Sequence, residues 1–571
     1  MPRSGTPEKS PAAPPSPAGP GPASAPLEGK GPSARGRLLA AAAAAGVVVL
    51  LFVAYLHVSR TYPENSDESN DLLMAWDLLH GNALLHGWHL SDVSFYTTEL
   101  PQYAVLVRLL GLHTETAHVA AAMTYTLVVV LAVLLARGSA AKVSRLQARP
   151  RMLLTAGLMF APQLGVGVFV LLLSLGHIGT AVPLMLIWLV LDRGDWFKPR
   201  WLVPGIAGLL MAWALIADPL VLVVGIVPLV AVCAVRVIRE VSAAGRRPDR
   251  LSGWLGGSLQ AQWYEVSLAA AAILAWGLAS LVSWVLRASG GFILHPLGYQ
   301  LAPVRTWPKH AWVTAEGLLA LFGAKPDGPA AAMAFALVHL ASVALVAWAM
   351  CRVARHFLSW PDMISQILLI AMVVNVVLYV PSTLADATDL NAREFAIVLP
   401  FGAVLAGRTL ASGLRVRTDE GPSWPGRQKW LKWVASALLA AYAASLGYAA
   451  AQPPVPAADQ QLAAFLAAHH LTSGIGGYWE SSVVTVGSGG AVTVRAVQGT
   501  LQPYLWEAKS SWYDPASQRA TFLVTDSAPG FFNYWQPDPR ALAALGKPVR
   551  TYHLGPYTVY VWDKNLLRGP G

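Results

Sequence analysis

The chain has 571 residues, 55% of them hydrophobic and only 13% charged, with a formal net charge of +10. Soluble enzymes carry about 25% charged residues, so the composition excludes an ordinary soluble domain and indicates a polytopic membrane protein. The basic residues are divided among short connections rather than gathered in one footprint, which argues against a nucleic-acid partner.

In chain order, residues 1–36 are rich in Pro, Ala, Gly and Ser without apolar periodicity, and are expected to be a disordered cytoplasmic tail. A transmembrane domain is expected over 37–452. Its apolar runs are Leu38 to Leu56, His118 to Leu135, Leu153 to Leu173, Ala181 to Leu191, Leu202 to Ile216, Val221 to Val235, Val266 to Leu286, Ala330 to Met350, Met363 to Val380, Phe395 to Leu405 and Leu431 to Ala450. Read as helices, they make about eleven spans, the shortest being ambiguous. Arg137, Lys142, Arg145, Arg149 and Arg151, then Arg236, Arg239, Arg246, Arg247 and Arg250, recur in alternate connections. Such connections are cytoplasmic by the positive-inside rule, which puts the N-terminus inside and the C-terminus outside the plasma membrane.

An external loop over 58–112 stands out. Seven acids (Glu64, Asp67, Glu68, Asp71, Asp77, Asp92 and Glu99) lie between Arg60 and Arg108 with no Lys or Arg among them. Leu72, Leu73, Ala75, Trp76 and Leu79 recur at helical spacing, so a helix is expected from Glu68 to His80, with Asp67 as its N-cap, a base, or both. Beyond Pro453 the composition changes. Strand-like runs at Ser482 to Val486, Ala491 to Val497, Ala520 to Thr525 and Thr558 to Trp562, with a helix at Gln460 to His469, predict a small extracytoplasmic α/β domain over 453–571. Cys233 and Cys351 fall near the ends of separate spans, so no disulfide framework supports it.

A first span, an external loop opening on the Asp67, Glu68 pair, many further spans and a soluble external domain together resemble the membrane glycosyltransferases of the C superfamily (GT-C). Within it the acid pair is similar to that of the protein mannosyltransferases and aminoarabinose transferases. NAREFAIVLPFGAVLAGR (Asn391 to Arg408) and GIGGYWESSVVTV (Gly474 to Val486) resemble actinobacterial members. The resemblance implies a GT-C fold and an inverting transfer of sugar from a polyprenyl-phosphate donor to a cell-envelope or protein acceptor at the outer face of the membrane. Glu99, in FYTTELPQY, resembles the second loop carboxylate of those enzymes.

Inverting transfer from a lipid phosphate needs one base to take the acceptor's proton while the phosphate leaves unassisted. Asp67 is the candidate base, with Glu68 and Glu99 as further catalytic acids; Asp67 and Glu99 are also candidate ligands for a divalent cation, Mg or Mn. Arg393, followed by Arg305 and Lys309, is the candidate partner of the donor phosphate. Asp77, His86, Trp88, Tyr96, Tyr478, Trp479 and Trp506 are candidates for sugar or acceptor binding. Two readings of other classes compete: a flippase or transporter of a lipid-linked saccharide, and a non-catalytic envelope-assembly protein. A carrier is expected to show internal repeats and charges deep in its spans, and neither is evident.

Overall fold

In the computed structural model, residues 34–139, 143–173, 176–243, 262–296, 298–385, 388–413, 425–456, 458–529 and 534–568 are described. The expected tail lies outside them apart from Ala34, Arg35 and Gly36, which open the first helix, Ala34–Ser59. The basic residues Lys142, Arg246, Arg247 and Arg250 lie outside them as well. The chain divides into two compact units, 1–49 and 50–571, and the second holds both the helical bundle and a β-rich C-terminal region.

Six helices among the described residues are long and apolar enough to cross a membrane: Ala34–Ser59, Thr114–Arg137, Leu222–Ser242, Trp263–Ala288, Ala330–Arg355 and Lys432–Ala450. A seventh span is made if Asp389–Phe395 and Val398–Leu410, bent by 59°, count as one. This makes a multi-pass membrane protein, but with six or seven spans rather than the expected eleven. The difference has local causes. The run Leu153 to Leu173 is broken where the helix Arg145–Leu158 ends, and the chain resumes beyond Pro162 and Gly165 as a π-helical turn, Phe169–Leu173. Ala181–Asp192, Leu202–Ala217 and Met363–Tyr379 are helices too short to pass as spans.

The bundle is knit by small-residue contacts and one polar clamp. Trp263–Ala288 packs on Leu202–Ala217, where a Cβ on Gly208 would lie 3.0 Å from the Ala271 carbonyl oxygen, so a larger residue would push the two helices apart. Trp188, Phe169 and Phe401 fill the core, while Leu274, Leu281, Trp284 and Leu337 remain exposed as a lipid-facing helix surface requires. Arg408, 6% exposed, donates to Asp192 at 2.8 Å, to Asp362 at 2.7 and 2.8 Å, and to the Leu135 carbonyl at 2.6 Å, joining four segments at one end of the bundle.

Two sheets lie toward the other end. β1 (Trp88–Leu90) pairs in parallel with β2 (Ile293–Leu294) and antiparallel with β5 (Ala508–Lys509), so the first loop, a second loop and the C-terminal region share one small sheet. The larger sheet has the order β4-β3-β6-β8-β7, from Thr493–Ala496, Ser473–Gly476, Phe522–Asp526, Tyr557–Val561 and Arg550–Leu554, with β4, β3 and β6 parallel and β6, β8 and β7 antiparallel. Ser482 to Val486, expected as a strand, is instead the start of the helix Ser482–Gly487. Its β-branched residues are buried on all sides and pack against the helix Ser66–Leu79, so tertiary packing overrides local preference.

Candidate functional site

The first loop enters a helix, Ser66–Leu79, at Asn65. The Asn65 side chain accepts the Asp67 N–H at 2.8 Å and the Glu68 carboxylate accepts the Asn65 N–H at 3.1 Å, a reciprocal capping box. The cap is therefore Asn65 and not Asp67, and the partner that completes it is Glu68. Burial, reinforced by the neighbouring Asp67 charge, holds the Glu68 carboxyl well above the usual carboxylate range. Asp67 is left with its side chain 15% exposed, in a first turn where the macrodipole favours an anion.

Asp67 lines a cavity of about 530 Å³. Four groups wall it: Ser91, Asp92, Val93 and Phe95 of the first loop; Phe169, Gly176 and His177; Leu390, Asn391, Arg393 and Glu394; and, from the C-terminal region, Tyr478, Trp479, Tyr504, Trp506, Glu507 and Trp535 among others. Arg393 comes from the 3₁₀ segment Asp389–Phe395, and its Nη1 lies 3.2 Å from Asp67 Oδ2. Lys325 takes up Asp389 at 2.6 Å, so that carboxylate does not compete for Arg393. On the other side the Tyr478 hydroxyl lies 2.7 Å from both Asp67 Oδ1 and Glu507 Oε2, and Asn70 donates to both Tyr478 and Glu507 at 3.1 and 3.3 Å. A single phenolic proton cannot serve two carboxylates at once, so one of the pair must carry its own. Burial, then the Asp67 charge, pushes the Glu507 carboxyl up to about 8, which makes Glu507 the protonated partner at neutral pH. The chain then runs Glu507 to Tyr478 to Asp67, each group donating to the next.

A second cluster adjoins this wall. His177 Nδ1 is 2.6 Å from Asp218 Oδ2, and its Nε2 is 3.1 Å from Glu394 Oε2. Burial works against a charged imidazole here, but Asp218 and Glu394 overcome it and raise His177 well above its ordinary value. Glu99 lies behind: its carboxylate accepts from the Thr98 hydroxyl and presses against Gly179, where any Cβ would collide with it. Burial pushes Glu99 up to about 7, with the Thr98 hydrogen bond opposing and the Asp218 charge adding.

The expected site residues divide sharply by position. Asp67, Arg393, Tyr478, Trp479 and Trp506 line the cavity, and Glu68 and Glu99 do not. Asp77, His86, Trp88 and Tyr96 lie off it, because their polar atoms are spent folding the loop. Asp77 accepts from the Trp88 indole at 2.8 Å and pairs with Lys509 at 2.9 Å, His86 Nδ1 bonds the Gly290 carbonyl at 2.7 Å, and Tyr96 donates to the Ala83 carbonyl at 2.7 Å. Arg305 and Lys309 are exposed and away from the cavity. Glu507, Asn70, His177 and Asp218 also carry the network, though little in the sequence marks them as site residues. For Glu507 the available signal was an acid following Trp506 in the aromatic-rich C-terminal region.

Asp67 and Glu99 turn to different partners. Asp67 is held by Arg393 and Tyr478, Glu99 is turned to Thr98, and among the described residues no group of three or more His, Cys, Asp or Glu is arranged to hold a metal ion.

No protein-family model matches the chain, and no curated protein matches it. Among solved structures it is similar to the Archaeoglobus fulgidus oligosaccharyltransferase in its apo form, at 12% identity over 84% of this chain and 69% of that one, with a TM-score of 0.46. It is also similar to ArnT from Cupriavidus metallidurans bound to undecaprenyl phosphate, at 13% identity over 92% of this chain and 98% of that one, with a TM-score of 0.49. A third likeness is the Archaeoglobus enzyme in complex with Zn and sulfate, at 11% identity and a TM-score of 0.43 over 84% of this chain and 68% of that one. Likeness this distant says nothing of substrate or residue roles.

Proposed function

We propose that the chain is an inverting glycosyltransferase of the GT-C type, moving a sugar from a polyprenyl-phosphate donor to a hydroxyl acceptor of the cell envelope or of a protein at the outer face of the plasma membrane. The observation that supports this most is the meeting of Asp67 and Arg393, 326 residues apart, on the wall of one cavity in a membrane-embedded protein. A base and a fixed cation side by side are what the transfer requires. The acceptor oxygen attacks the anomeric carbon, its proton passes to the Asp67 carboxylate, and the carbon–oxygen bond to phosphate breaks with the electron pair leaving on the polyprenyl phosphate. Arg393 faces the charge that accumulates on that phosphate, and a preorganised guanidinium is suited to it. Tyr478, Trp479 and Trp506 offer aromatic faces to a sugar ring.

The direct test is to supply purified protein, in liposomes, with polyprenyl-phosphate sugars and to follow the lipid by mass spectrometry. The reading expects polyprenyl phosphate and a glycosylated product. A flippase would move the donor intact, and an assembly protein would leave it untouched.

The pH profile supplies a second expectation. Glu507 is neutral below about 8, and above that it ionises beside Asp67 and the leaving phosphate, so transfer should decline as pH rises through this value. Glu507→Gln fixes the neutral form and should keep a near-normal rate at pH 7 while abolishing the alkaline decline. An unchanged decline in Glu507→Gln would take this carboxyl out of the profile.

Orientation is tested by labelling. With Cys351 replaced by Ala and Cys233 buried, a Ser517→Cys protein should react with a membrane-impermeant maleimide in intact cells, both Ser517 and Ser242 being exposed. Ser242→Cys should react only after permeabilisation. The reverse pattern would turn the Asp67 cavity toward the cytoplasm and remove the outer-face reading.

A further inference from the structure

Glu394 is the immediate neighbour of Arg393, and it is the carboxylate best able to disarm it. Its Oε1 lies 3.7 Å from Arg393 Nε, a loose ion pair beyond hydrogen-bond reach, while its Oε2 is held at 3.1 Å by His177 Nε2. The other ring nitrogen of His177 lies 2.6 Å from Asp218 Oδ2. An imidazole with a carboxylate oxygen on each nitrogen must donate from both, which only the imidazolium can do. Asp218 is itself fixed: it accepts from the Thr180 hydroxyl and, at 2.8 Å, from the Leu220 N–H, and it is 2% exposed. The three residues come from three separate segments, the turn before Ala181–Asp192, the end of Leu202–Ala217 and the 3₁₀ segment. Asp92 and Glu99 also interact with the imidazole electrostatically, while Arg393 is the cation on the far side of Glu394.

We propose that the Asp218–His177–Glu394 triad is a positioning device that holds the Glu394 carboxylate off Arg393, so that the guanidinium stays turned to Asp67 and free for the donor phosphate. The inference rests on the reading of Arg393 as the phosphate partner. Without the imidazolium, Glu394 has Arg393 as the cation beside it. A planar guanidinium meeting a carboxylate tends to a bidentate pair, and forming it would draw Arg393 from Asp67 and fill the valences a phosphate needs.

The device has a signature that a simple structural brace lacks, because removing the competing carboxylate should repair the loss of the histidine. Binding of polyprenyl monophosphate to the purified full-length protein in detergent is the measurement, with thermal unfolding as the check on folding. His177→Gln should weaken binding about fivefold, the scale of coupling between groups in one network. His177→Gln combined with Glu394→Gln should bind nearly as well as the unsubstituted protein. In an Arg393→Ala background, His177→Gln should have no further effect. Full affinity in a folded His177→Gln protein, or a double variant no better than the single one, overturns the proposal. His177→Ala combined with Glu394→Gln repeats the test should His177→Gln fail to fold. If Arg393→Ala weakens binding and His177→Gln does not, only the positioning role is lost; if Arg393→Ala itself binds normally, the reading of Arg393 falls and this inference with it.

Discussion

Asp67→Asn should lower sugar transfer by about a hundredfold or more, the scale at which a positioned general base contributes. The substitution keeps the shape of the side chain and leaves the capping box untouched, since the cap uses the Asp67 backbone N–H and not its carboxylate. The amide oxygen can still accept from Tyr478. What it cannot do is take a proton from the acceptor hydroxyl, so the loss should appear in turnover with a much smaller change in donor affinity. Glu68→Gln separates the neighbours. Glu68 is 1% exposed and closes the helix start, but Gln keeps an oxygen that accepts the Asn65 N–H, so this variant should hold its stability better than a lost cap, which costs about 0.5–2 kcal/mol, and show little change in rate. Normal turnover in purified Asp67→Asn would remove Asp67 from the mechanism.

Arg393→Ala should weaken binding of polyprenyl monophosphate at least tenfold, or about 1.4 kcal/mol, because a contact between a guanidinium and a phosphate is charge-assisted and here partly desolvated. The side chain is 36% exposed, with its inner face on Asp67 and the remainder at the cavity. Lys at this position keeps the charge but not the planar fork, so Arg393→Lys should recover only part of the affinity. Donor binding unchanged in a folded Arg393→Ala protein would make the arginine a structural partner of Asp67. Arg305 and Lys309 cannot then take its place without a rearrangement, since both lie away from the cavity.

Much of the local structure could be read from the residues, and the long-range structure could not. The helix Ser66–Leu79 follows from the spacing of Leu72, Leu73, Ala75, Trp76 and Leu79, but it starts ahead of Glu68 because Asn65, a cap as good as aspartate, precedes the two conspicuous acids. The number of spans was overestimated because hydropathy measures apolar content and not continuity. The break around Pro162 and Gly165, the π-helical turn after it and the shortness of Ala181–Asp192 are matters of backbone geometry. At the site, Asp67 and Arg393 each stood out by chemistry in an unusual setting. Glu507 did not, since its meaning comes from Tyr478 and Asn70, the latter 437 residues away. His177 was hidden in the same way. A histidine among apolar residues looks like a packing residue until the chain brings Asp218 and Glu394 to its two nitrogens.

The three-stranded sheet that joins Trp88–Leu90 to Ile293–Leu294 and Ala508–Lys509 has a consequence for the order of biogenesis. Glu507 immediately precedes the strand that closes this sheet, and Tyr478 also follows the last apolar helix, Lys432–Ala450. A nascent chain whose helices are already inserted thus carries Asp67 and Arg393 but neither Glu507 nor the aromatic wall. The cavity is completed only when the segment from Tyr478 to Glu507 has been made and has folded onto the first loop. The order of synthesis therefore places the first wall of the cavity in the membrane before the groups that face it exist.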